Sequence, residues 1–214
     1  MKKRTPPLKR SARRRRLGWP LLRFDKVSST NDLLKAEAQA GAPEGCTILA
    51  KEQTQGRGRQ GKQWVSPVGQ GVYMSLLLRP PWPAADAALL NMWAVTAVAR
   101  ALEKIGLNNI QVKWPNDVLA RGKKIAGILV EPRLSQQHID FVVVGVGINV
   151  RQRQKDLHGP LSGTATSCRL EGARADCARV FNQVLREMEA GYDQIRHNQK
   201  DSILEAWAQR CITT

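Results

Sequence analysis

Residues 53–64, Gln-Thr-Gln-Gly-Arg-Gly-Arg-Gln-Gly-Lys-Gln-Trp, constrain the fold of this chain more than any other stretch. Three glycines and three cations share one loop that ends in an aromatic residue. Glycine tolerates positive φ angles and can leave backbone N–H groups open to a ligand, while clustered cations attract negative charge. The loop therefore predicts a binding site for phosphate or carboxylate. Its glycines are Gly56, Gly58 and Gly61, and its cations are Arg57, Arg59 and Lys62.

The loop is not the phosphate-binding loop of the P-loop NTPases. That motif requires Ser or Thr directly after its lysine, whereas Lys62 is followed by Gln63. Glycine with arginine is also typical of disordered RNA-binding tracts. The flanking residues 47–50 and 71–78 favour a folded loop, because both are short apolar runs with β-branched or aromatic residues. We therefore expect the loop to connect strands of a sheet.

The remaining pattern predicts one domain of mixed α and β structure. A helix over residues 31–40 begins after the capping run Ser28-Ser29-Thr30, and Gly41 ends it. Apolar residues at helical spacing predict a long helix over 86–105. Three further strands and two further helices are then expected. The strands cover residues 110–114, 124–131 and 139–150, and the helices cover residues 173–195 and 201–210.

The strand over residues 139–150 has one nearly bare face. Alternation places Gly145, Gly147 and Asn149 on that face, opposite a row of valine and isoleucine. A face without side chains indicates that something approaches it closely. The sequence leaves open whether this is a second backbone or a ligand.

The formal net charge of +16 is concentrated at the start of the chain. Residues 1–23 hold ten of the 34 lysines and arginines and no acid. The interpretation is a basic, disordered tail with a non-specific attraction for nucleic acid or anionic lipid, followed by a folded domain over residues 24–214. We expect no signal peptide and no membrane span. The four cysteines form no C-x-x-C pair, so neither a zinc site nor a disulfide framework is indicated and a cytoplasmic location is expected.

Two more segments carry residues suited to chemistry. They are Lys113-Trp114-Pro115-Asn116-Asp117 and Lys123-Lys124-Ile125-Ala126-Gly127-Ile128-Leu129-Val130-Glu131. Together with Ser28–Asn31, the glycine-arginine loop and Gly145–Asn149, they resemble the biotin protein ligase family in order and spacing over residues 24–210. The resemblance implies an α+β fold with a mixed or antiparallel central sheet flanked by helices, similar to class II synthetases. The Arg-Arg, Gly-Gly-Gly and His-Asp signature of lipoate and octanoyl ligases is not found.

The resemblance implies a reaction in two steps. Biotin is activated by ATP, with Mg²⁺, to biotinyl-5′-AMP and is then transferred to a lysine of the biotin carboxyl carrier protein of acetyl-CoA carboxylase. Arg59 and Lys124 are the implied catalytic residues. The implied biotin-binding residues are Ser29, Thr30, Asn31, Gln53, Gly56, Arg57, Gly58, Arg59, Lys124 and Gly127. The implied ATP-binding residues are Arg59, Lys62, Trp64, Lys113, Asn116, Asp117 and Asn149, and no metal ligand is assigned.

Single residues have simpler interpretations. Trp64 can be a core anchor, Asn116-Asp117 a turn, and Lys124 a solvated strand residue. Lys62 stands where the family often has arginine, so the nucleotide contact is expected to be looser.

We expect the helix-turn-helix of the repressor-type members and their small C-terminal β-barrel to be absent, and therefore no operator-specific DNA binding. A homodimer through the sheet edge near residues 139–150 is also implied by resemblance. The competing functions are a non-catalytic biotin-binding remnant with an attached basic tail and a lipoate-type acyl ligase.

Overall fold

The computed structural model describes residues 16–157 and 159–212. In this part of the chain, eight strands form one sheet in the order β1-β2-β3-β7-β6-β5-β4-β8, accompanied by four α-helices. The strands are β1 Leu21–Val27, β2 Thr47–Gln53, β3 Gly71–Leu78, β4 Ile110–Lys113, β5 Asp117–Ala120, β6 Lys123–Ser135, β7 His138–Asn149 and β8 Cys211–Ile212. The helices are α1 Thr30–Gln39, α2 Ala87–Lys104, α3 Cys177–Arg196 and α4 Lys200–Ala208.

The sheet is mixed, as expected. The pairs β1/β2 and β4/β8 are parallel, and every other neighbouring pair is antiparallel. Helices lie on both faces, which confirms the expected α+β fold with a central sheet between helices. None of the described helices is long and apolar enough to cross a membrane.

Strand alternation assigns the two faces of the sheet to two cores. On β7, Val142, Val144, Val146 and Ile148 pack into a large core with α2 and α3. Phe141 and Val143 point the other way, into a smaller core with α1. On the α1 face the row continues with Gly145 and Gly147, where the strand offers no side chain. The small core therefore gives way to a region of the sheet that is free for a site.

The elements with strong local signals were predicted well. The Ser29 side chain accepts a hydrogen bond from the Asp32 N–H at 3.4 Å and caps α1, which lies one residue from its predicted start. The helix α2 is found within one residue of its predicted bounds. Strand β3 has the bounds that its apolar run predicted. Capping and periodicity explain this agreement, since both are encoded in neighbouring residues.

The domain begins earlier than predicted. Leu17 is buried in the large core at 2% exposure, and β1 begins at Leu21, inside the stretch that the sequence assigned to a disordered tail. The N–H groups of Gly18 and Trp19 both donate to the Gly45 carbonyl at 3.0 Å. The start of β1 was not predicted, because it lies within the basic stretch that indicated a tail. The rest of the predicted tail, residues 1–15, lies outside the described residues.

Strand β7 is not at an edge of the sheet. It pairs with β3 on one side and β6 on the other, so the predicted dimer surface at a sheet edge near residues 139–150 was wrong. The described edge strands are β1 and β8. Strand β5 was also missed, because it has only four residues and its first, Asp117, belongs to a Pro-Asn-Asp sequence that indicates a turn.

Two glycines with positive φ allow a test of the early domain boundary. Gly41 and Gly45 have φ angles of +90° and +86°, so alanine at either position should cost about 1–2 kcal/mol of folding stability. A Cβ at Gly45 would also overlap the Arg16 carbonyl, whereas a Cβ at Gly41 meets no atom within 4 Å. We expect Gly45→Ala to destabilise the protein more than Gly41→Ala in chemical denaturation. Equal losses would contradict the packing of residues 16–19 on the domain.

Candidate functional site

A cavity of about 720 Å³ opens on the α1 face of the sheet. Its volume lies within the range of about 300–1,000 Å³ that is typical of small-molecule sites. It collects most of the residues that the sequence singled out. The predicted residues that line it are Ser29, Thr30, Asn31, Gln53, Arg57, Gly58, Arg59, Lys62, Trp64, Asn116, Asp117, Lys124, Gly127 and Asn149.

Two predicted residues, Gly56 and Lys113, are not part of the cavity lining. Gly56 is buried beneath the loop, where its carbonyl accepts from the Trp64 N–H at 2.9 Å and an added Cβ would overlap the Trp64 carbonyl. Its role in the structure is to close the loop. Lys113 is exposed at the end of β4, in register with Asp117, one strand beyond the lining.

The glycine-arginine loop is a small hairpin, which we call the Gly-Arg hairpin (residues 56–64). Arg57 pairs with Gln63, and the Gly58 N–H donates to the Lys62 carbonyl at 2.7 Å. The tip turns through Gln60 and Gly61, with φ angles of 53° and 73°. The Gly58 N–H is therefore used inside the hairpin, which corrects, for this glycine, the expectation of a donor open to a ligand.

The three cations of the hairpin have different environments. Arg57 Nη2 lies 2.9 Å from Asp32 and 2.7 Å from Glu131, so its charge is already paired. Arg59 and Lys62 are exposed and make no ion pair with another described residue. Two cations at the tip, rather than three, are therefore available to an anion.

A chain of hydrogen bonds fixes the polar wall on the α1 side of the cavity. Ser75 Oγ contacts Asn31 Oδ1 at 2.5 Å and Thr30 Oγ1 at 2.8 Å. Gln53 Oε1 accepts from the Thr30 N–H at 2.8 Å and from the Thr30 hydroxyl at 3.0 Å, and Gln53 Nε2 donates to Ser66 at 3.0 Å. Because buried polar groups need partners, this chain holds each side chain in one orientation.

Some hydrogen-bond donors and acceptors of the polar wall are not used within the wall and are available to a ligand. Gln53 Nε2 carries two hydrogens and uses one on Ser66, and the Ser29 hydroxyl accepts from Asp32 while its own hydrogen remains available. Asn31 Oδ1 has a second lone pair besides the one that receives Ser75. The wall therefore presents two donors and one acceptor.

Sequence reasoning missed Ser66, Ser75 and Glu131 as parts of the site. Ser75 is fully buried on β3, opposite Gly145 in the register of β7. Its signal was a lone serine within the apolar run 71–78, but its partners lie 44 and 45 residues away in sequence. Only the packing of α1 on β3 brings them together.

Side chains, rather than a second backbone, occupy the bare face of β7. An added Cβ on Gly145 would overlap the Asn31 amide, and one on Gly147 would overlap the Trp64 ring. Gly127 on β6 is similar, with Trp64 Cζ3 only 2.9 Å from the position of an added Cβ. The glycines therefore seat Asn31 and Trp64 against the sheet at the floor of the cavity.

Lys124 lies over this floor. Its Nζ is 5.5 Å from the centre of the Trp64 ring and 2.7 Å from Asp117 Oδ1. Its backbone N–H donates to the Thr164 carbonyl at 2.8 Å, which fixes the strand end beneath it. The interpretation of Lys124 as a solvated strand residue does not describe this arrangement, since the side chain is held between an aromatic face and a carboxylate.

Two further asparagines of the lining, besides Asn31, are held by the fold. Asn149 Nδ2 donates to the Thr166 carbonyl at 3.0 Å, and Asn149 Oδ1 accepts from Gln152 at 3.1 Å. Asn116 Nδ2 donates to the Ile128 carbonyl at 3.1 Å, which leaves its side-chain oxygen as the group still open to a ligand.

The buried cysteines are not suited to nucleophilic chemistry. Burial raises the pKa of Cys46 to about 11 and that of Cys168 to about 12, so both thiols remain protonated at neutral pH. The carboxylate of Glu131 behaves in the opposite way. Burial alone raises its pKa, but hydrogen bonds from Lys35 and Asn31 and the charges of Lys35 and Arg57 outweigh burial and lower it. Glu131 is therefore ionised at neutral pH.

The seat of Trp64 can be tested with a graded pair of substitutions. Gly147→Ala places a methyl group inside the Trp64 ring position, whereas Gly127→Ala brings its methyl group to 2.9 Å of the ring edge. We expect Gly147→Ala to displace Trp64 and weaken nucleotide binding about tenfold, and Gly127→Ala to have a smaller effect. Calorimetric titration with ATP would measure both. Unchanged affinity in Gly147→Ala would contradict a role of Trp64 in the nucleotide site.

Comparison with known proteins identifies the family of the chain. The sequence profile of the biotin/lipoate A/B protein ligase family matches residues 23–149, which is more than half of the chain. The chain belongs to this family. The match contains most of β1, all of α1, the Gly-Arg hairpin and the strands from β2 to β7.

Individual relatives agree with the family. The chain is 38% identical over 183 residues to the bifunctional ligase/repressor BirA of Bacillus subtilis, covering 85% of this chain and 56% of that protein. It is 36% identical over 204 residues to the biotin–[acetyl-CoA-carboxylase] ligase of Mycobacterium tuberculosis, covering 90% and 73%. The chain thus spans about half the length of the Bacillus subtilis relative.

A solved structure of a relative also has this fold. Biotin protein ligase from Aquifex aeolicus in complex with biotin and ATP superimposes with a TM-score of 0.69 at 32% sequence identity, covering 83% of this chain and 72% of that chain. The eight-stranded sheet with its helices is therefore the catalytic-domain fold of the biotin protein ligases.

Proposed function

We propose that this chain activates biotin with ATP to form biotinyl-5′-AMP and transfers the biotinyl group to a lysine of a biotin carboxyl carrier protein. The observation that carries the proposal is one cavity that joins a fixed polar wall to a cluster of cations, in a chain of this family. The names of the relatives support it, since the Mycobacterium tuberculosis protein is a biotin–[acetyl-CoA-carboxylase] ligase and the Aquifex aeolicus structure contains biotin and ATP.

The polar wall suits the cyclic urea of biotin. A urea carbonyl accepts two hydrogen bonds, and the wall offers the donors of Ser29 and Gln53. A urea N–H needs an acceptor, and Asn31 Oδ1 offers its second lone pair. Because the wall is preorganised by its own hydrogen bonds, the ligand does not have to order it on binding.

The length of the cavity suits an acid joined to a nucleotide. The polar wall lies against β3, and Asp117 lies on β5, with β7 and β6 between them. Three strand spacings separate the two groups by about 14 Å. We therefore assign the head group of biotin to the β3 side and the nucleotide to the β5 side, next to Trp64, Asn116, Asp117 and Asn149.

The cations address the electrostatic problem of the first step. The biotin carboxylate attacks the α-phosphorus of ATP, a new carboxyl O–P bond forms, and the bond to pyrophosphate breaks. Two anions must approach each other, so cations fixed around the reacting atoms lower the barrier. We assign Arg59 and Lys124 to the carboxylate and the α-phosphate, and Lys62 to the remaining phosphates.

The second step forms an amide. The neutral amine of the carrier lysine attacks the mixed-anhydride carbonyl, AMP leaves with the bonding electrons, and the amine releases a proton. The cavity excludes water around the adenylate on its sheet side, while the exposed hairpin tip leaves the acyl group open to a partner.

Asp117 fits a role in holding the Mg²⁺ that accompanies ATP. It is the carboxylate among the described lining residues, it stands next to the open oxygen of Asn116, and Mg²⁺ prefers oxygen ligands supplied by one or two carboxylates and by phosphates. When bound, the ion would neutralise charge on the phosphates. Within the described residues, no three His, Cys, Asp or Glu side chains form a cluster that could hold a metal ion.

Exchange of labelled pyrophosphate into ATP tests the proposal. The purified chain is incubated with ATP, Mg²⁺ and one acid at a time, with biotin, lipoate and octanoate compared at equal concentration. We expect pyrophosphate exchange with biotin. With lipoate or octanoate the exchange rate should be at most about 1% of the rate with biotin, a discrimination on the order of 100-fold. Exchange with lipoate instead would identify a lipoate-type ligase. Biotin binding without exchange would identify a non-catalytic binding protein.

A further inference from the structure

Arg57 occupies an unusual position in the Gly-Arg hairpin, because it lies at the base of the hairpin and points away from the tip. Its guanidinium contacts both oxygens of Glu131, at 2.7 and 2.8 Å, and Asp32 at 2.9 Å. Glu131 belongs to β6 and Asp32 to the first turn of α1. One side chain therefore ties the hairpin to two elements that are distant in sequence.

Glu131 is the common partner in this arrangement. Besides Arg57, its carboxylate receives Lys35 Nζ at 2.6 Å and Asn31 Nδ2 at 2.7 Å. The Glu131 side chain is only 21% exposed, so these charge-assisted hydrogen bonds are only partly screened by water. Glu131 thus touches the polar wall through Asn31 and the cation hairpin through Arg57.

The contact with Asn31 determines how its amide is oriented. Asn31 Nδ2 donates to Glu131, while Asn31 Oδ1 accepts from Ser75. A reversed amide would place oxygen against the carboxylate of Glu131, so the reversed orientation is excluded. The Leu129 carbonyl, 3.4 Å from Asn31 Nδ2, favours the same orientation more weakly, and the shorter contact with the charged Glu131 reinforces the acceptor that Asn31 presents next to Gly145.

We propose that Glu131 is a positioning residue of this site, which holds Arg57 at the base of the Gly-Arg hairpin and fixes the orientation of the Asn31 amide. The identity of the positioned ligand as biotin rests on the proposed function. The anchoring of the hairpin does not, because it follows from the contacts of Glu131 alone. Glu131 acts through Arg57 and Asn31 and does not itself line the cavity.

The substitution Glu131→Gln keeps the shape of the side chain and removes its charge. The new amide nitrogen must face a donor of Arg57, Lys35 or Asn31, so at least one of these contacts is lost. We expect hydrogen–deuterium exchange of the backbone in residues 54–66 to become at least several-fold faster, and the Kd for biotin to rise about tenfold or more. The Kd for ATP should rise as well, because residues 54–66 carry Lys62 and Trp64, which are assigned to the nucleotide.

Glu103→Gln is the matched control. Glu103 accepts two hydrogen bonds from Arg210, at 3.0 and 3.1 Å, in a partly buried ion pair outside the cavity lining. In Glu103→Gln, the hydrogen–deuterium exchange of residues 54–66 and the Kd for biotin should both remain as in the wild type. Glu131→Asp retains the charge and should recover part of the loss.

Several results would overturn the proposal. One is a hydrogen–deuterium exchange rate of residues 54–66 that is the same in Glu131→Gln as in the wild type. Another is a uniform increase of that rate across the whole domain. A third is a Kd for biotin that is the same in Glu131→Gln as in the wild type, where the wild type binds biotin. A wild type that binds no biotin would instead refute the proposed function. In that case the exchange of residues 54–66 still decides whether Glu131 anchors the hairpin.

Discussion

Arg59→Ala is expected to lower the rate of biotin adenylation about 10²–10³-fold, which is typical for the loss of one preorganised group that stabilises developing charge. Arg59 is exposed at the tip of the Gly-Arg hairpin and makes no ion pair with another described residue. Its cationic group is therefore available for the reacting carboxylate and phosphate. Steady-state pyrophosphate exchange with biotin measures this rate.

The stability of the protein should be unaffected by Arg59→Ala, because the side chain supports no other part of the described fold. Biotin should still bind to the polar wall, which contains no atom of Arg59. Arg133→Ala is the matched control, since Arg133 is also an exposed arginine but lies outside the cavity lining. If the two variants exchanged pyrophosphate at the same rate, Arg59 would have no catalytic role.

Lys124→Gln is expected to lower the rate of adenylation about 10²-fold. Lys124 Nζ lies above Trp64 and beside Asp117, on the path between the polar wall and the β5 end of the cavity. The substitution removes the positive charge and leaves the Asp117 carboxylate without its partner, so the repulsion of an incoming nucleotide increases. The rate constant kcat of exchange and the KM for ATP would both report this change.

The neighbouring residue supplies the control. Lys123 is exposed and lies outside the cavity lining, although it belongs to the same strand, β6. Lys123→Gln makes the same chemical change one residue away and should retain the wild-type rate. A loss of the same size in both variants would show that the effect comes from overall charge rather than from the position of Lys124.

Local signals explain which parts of the fold could be predicted. The helix α1 has a capping serine and a terminating glycine within a dozen residues, and α2 has a sustained apolar stripe. The strands β1 and β5 lack such signals, because β1 lies in a basic stretch and β5 has only four residues. Pairing with β2, which is distant in sequence, stabilises β1, whereas β5 forms tight hairpins with its sequence neighbours β4 and β6.

The same distinction explains the candidate site. Residue type and motif order were sufficient to find Thr30, Arg59 and Lys124, which all line the cavity. They were not sufficient for Glu131, which contacts Asn31 from a position 100 residues away in sequence. Nor could they show that Gln60 adopts a φ of 53° and closes the hairpin, so that the Gly58 N–H is not open. The packing of α1 on the sheet and the backbone conformation of the hairpin determine these features.

Transfer to a carrier tests the central claim most directly. The chain is incubated with ATP, Mg²⁺, biotin and a purified biotin carboxyl carrier domain, and the intact mass of the carrier is measured. The proposed function predicts that the carrier gains one biotinyl group only when both ATP and biotin are present, and that a carrier with its acceptor lysine replaced by arginine gains none. An unmodified carrier, in the presence of a chain that binds biotin and ATP, would contradict it.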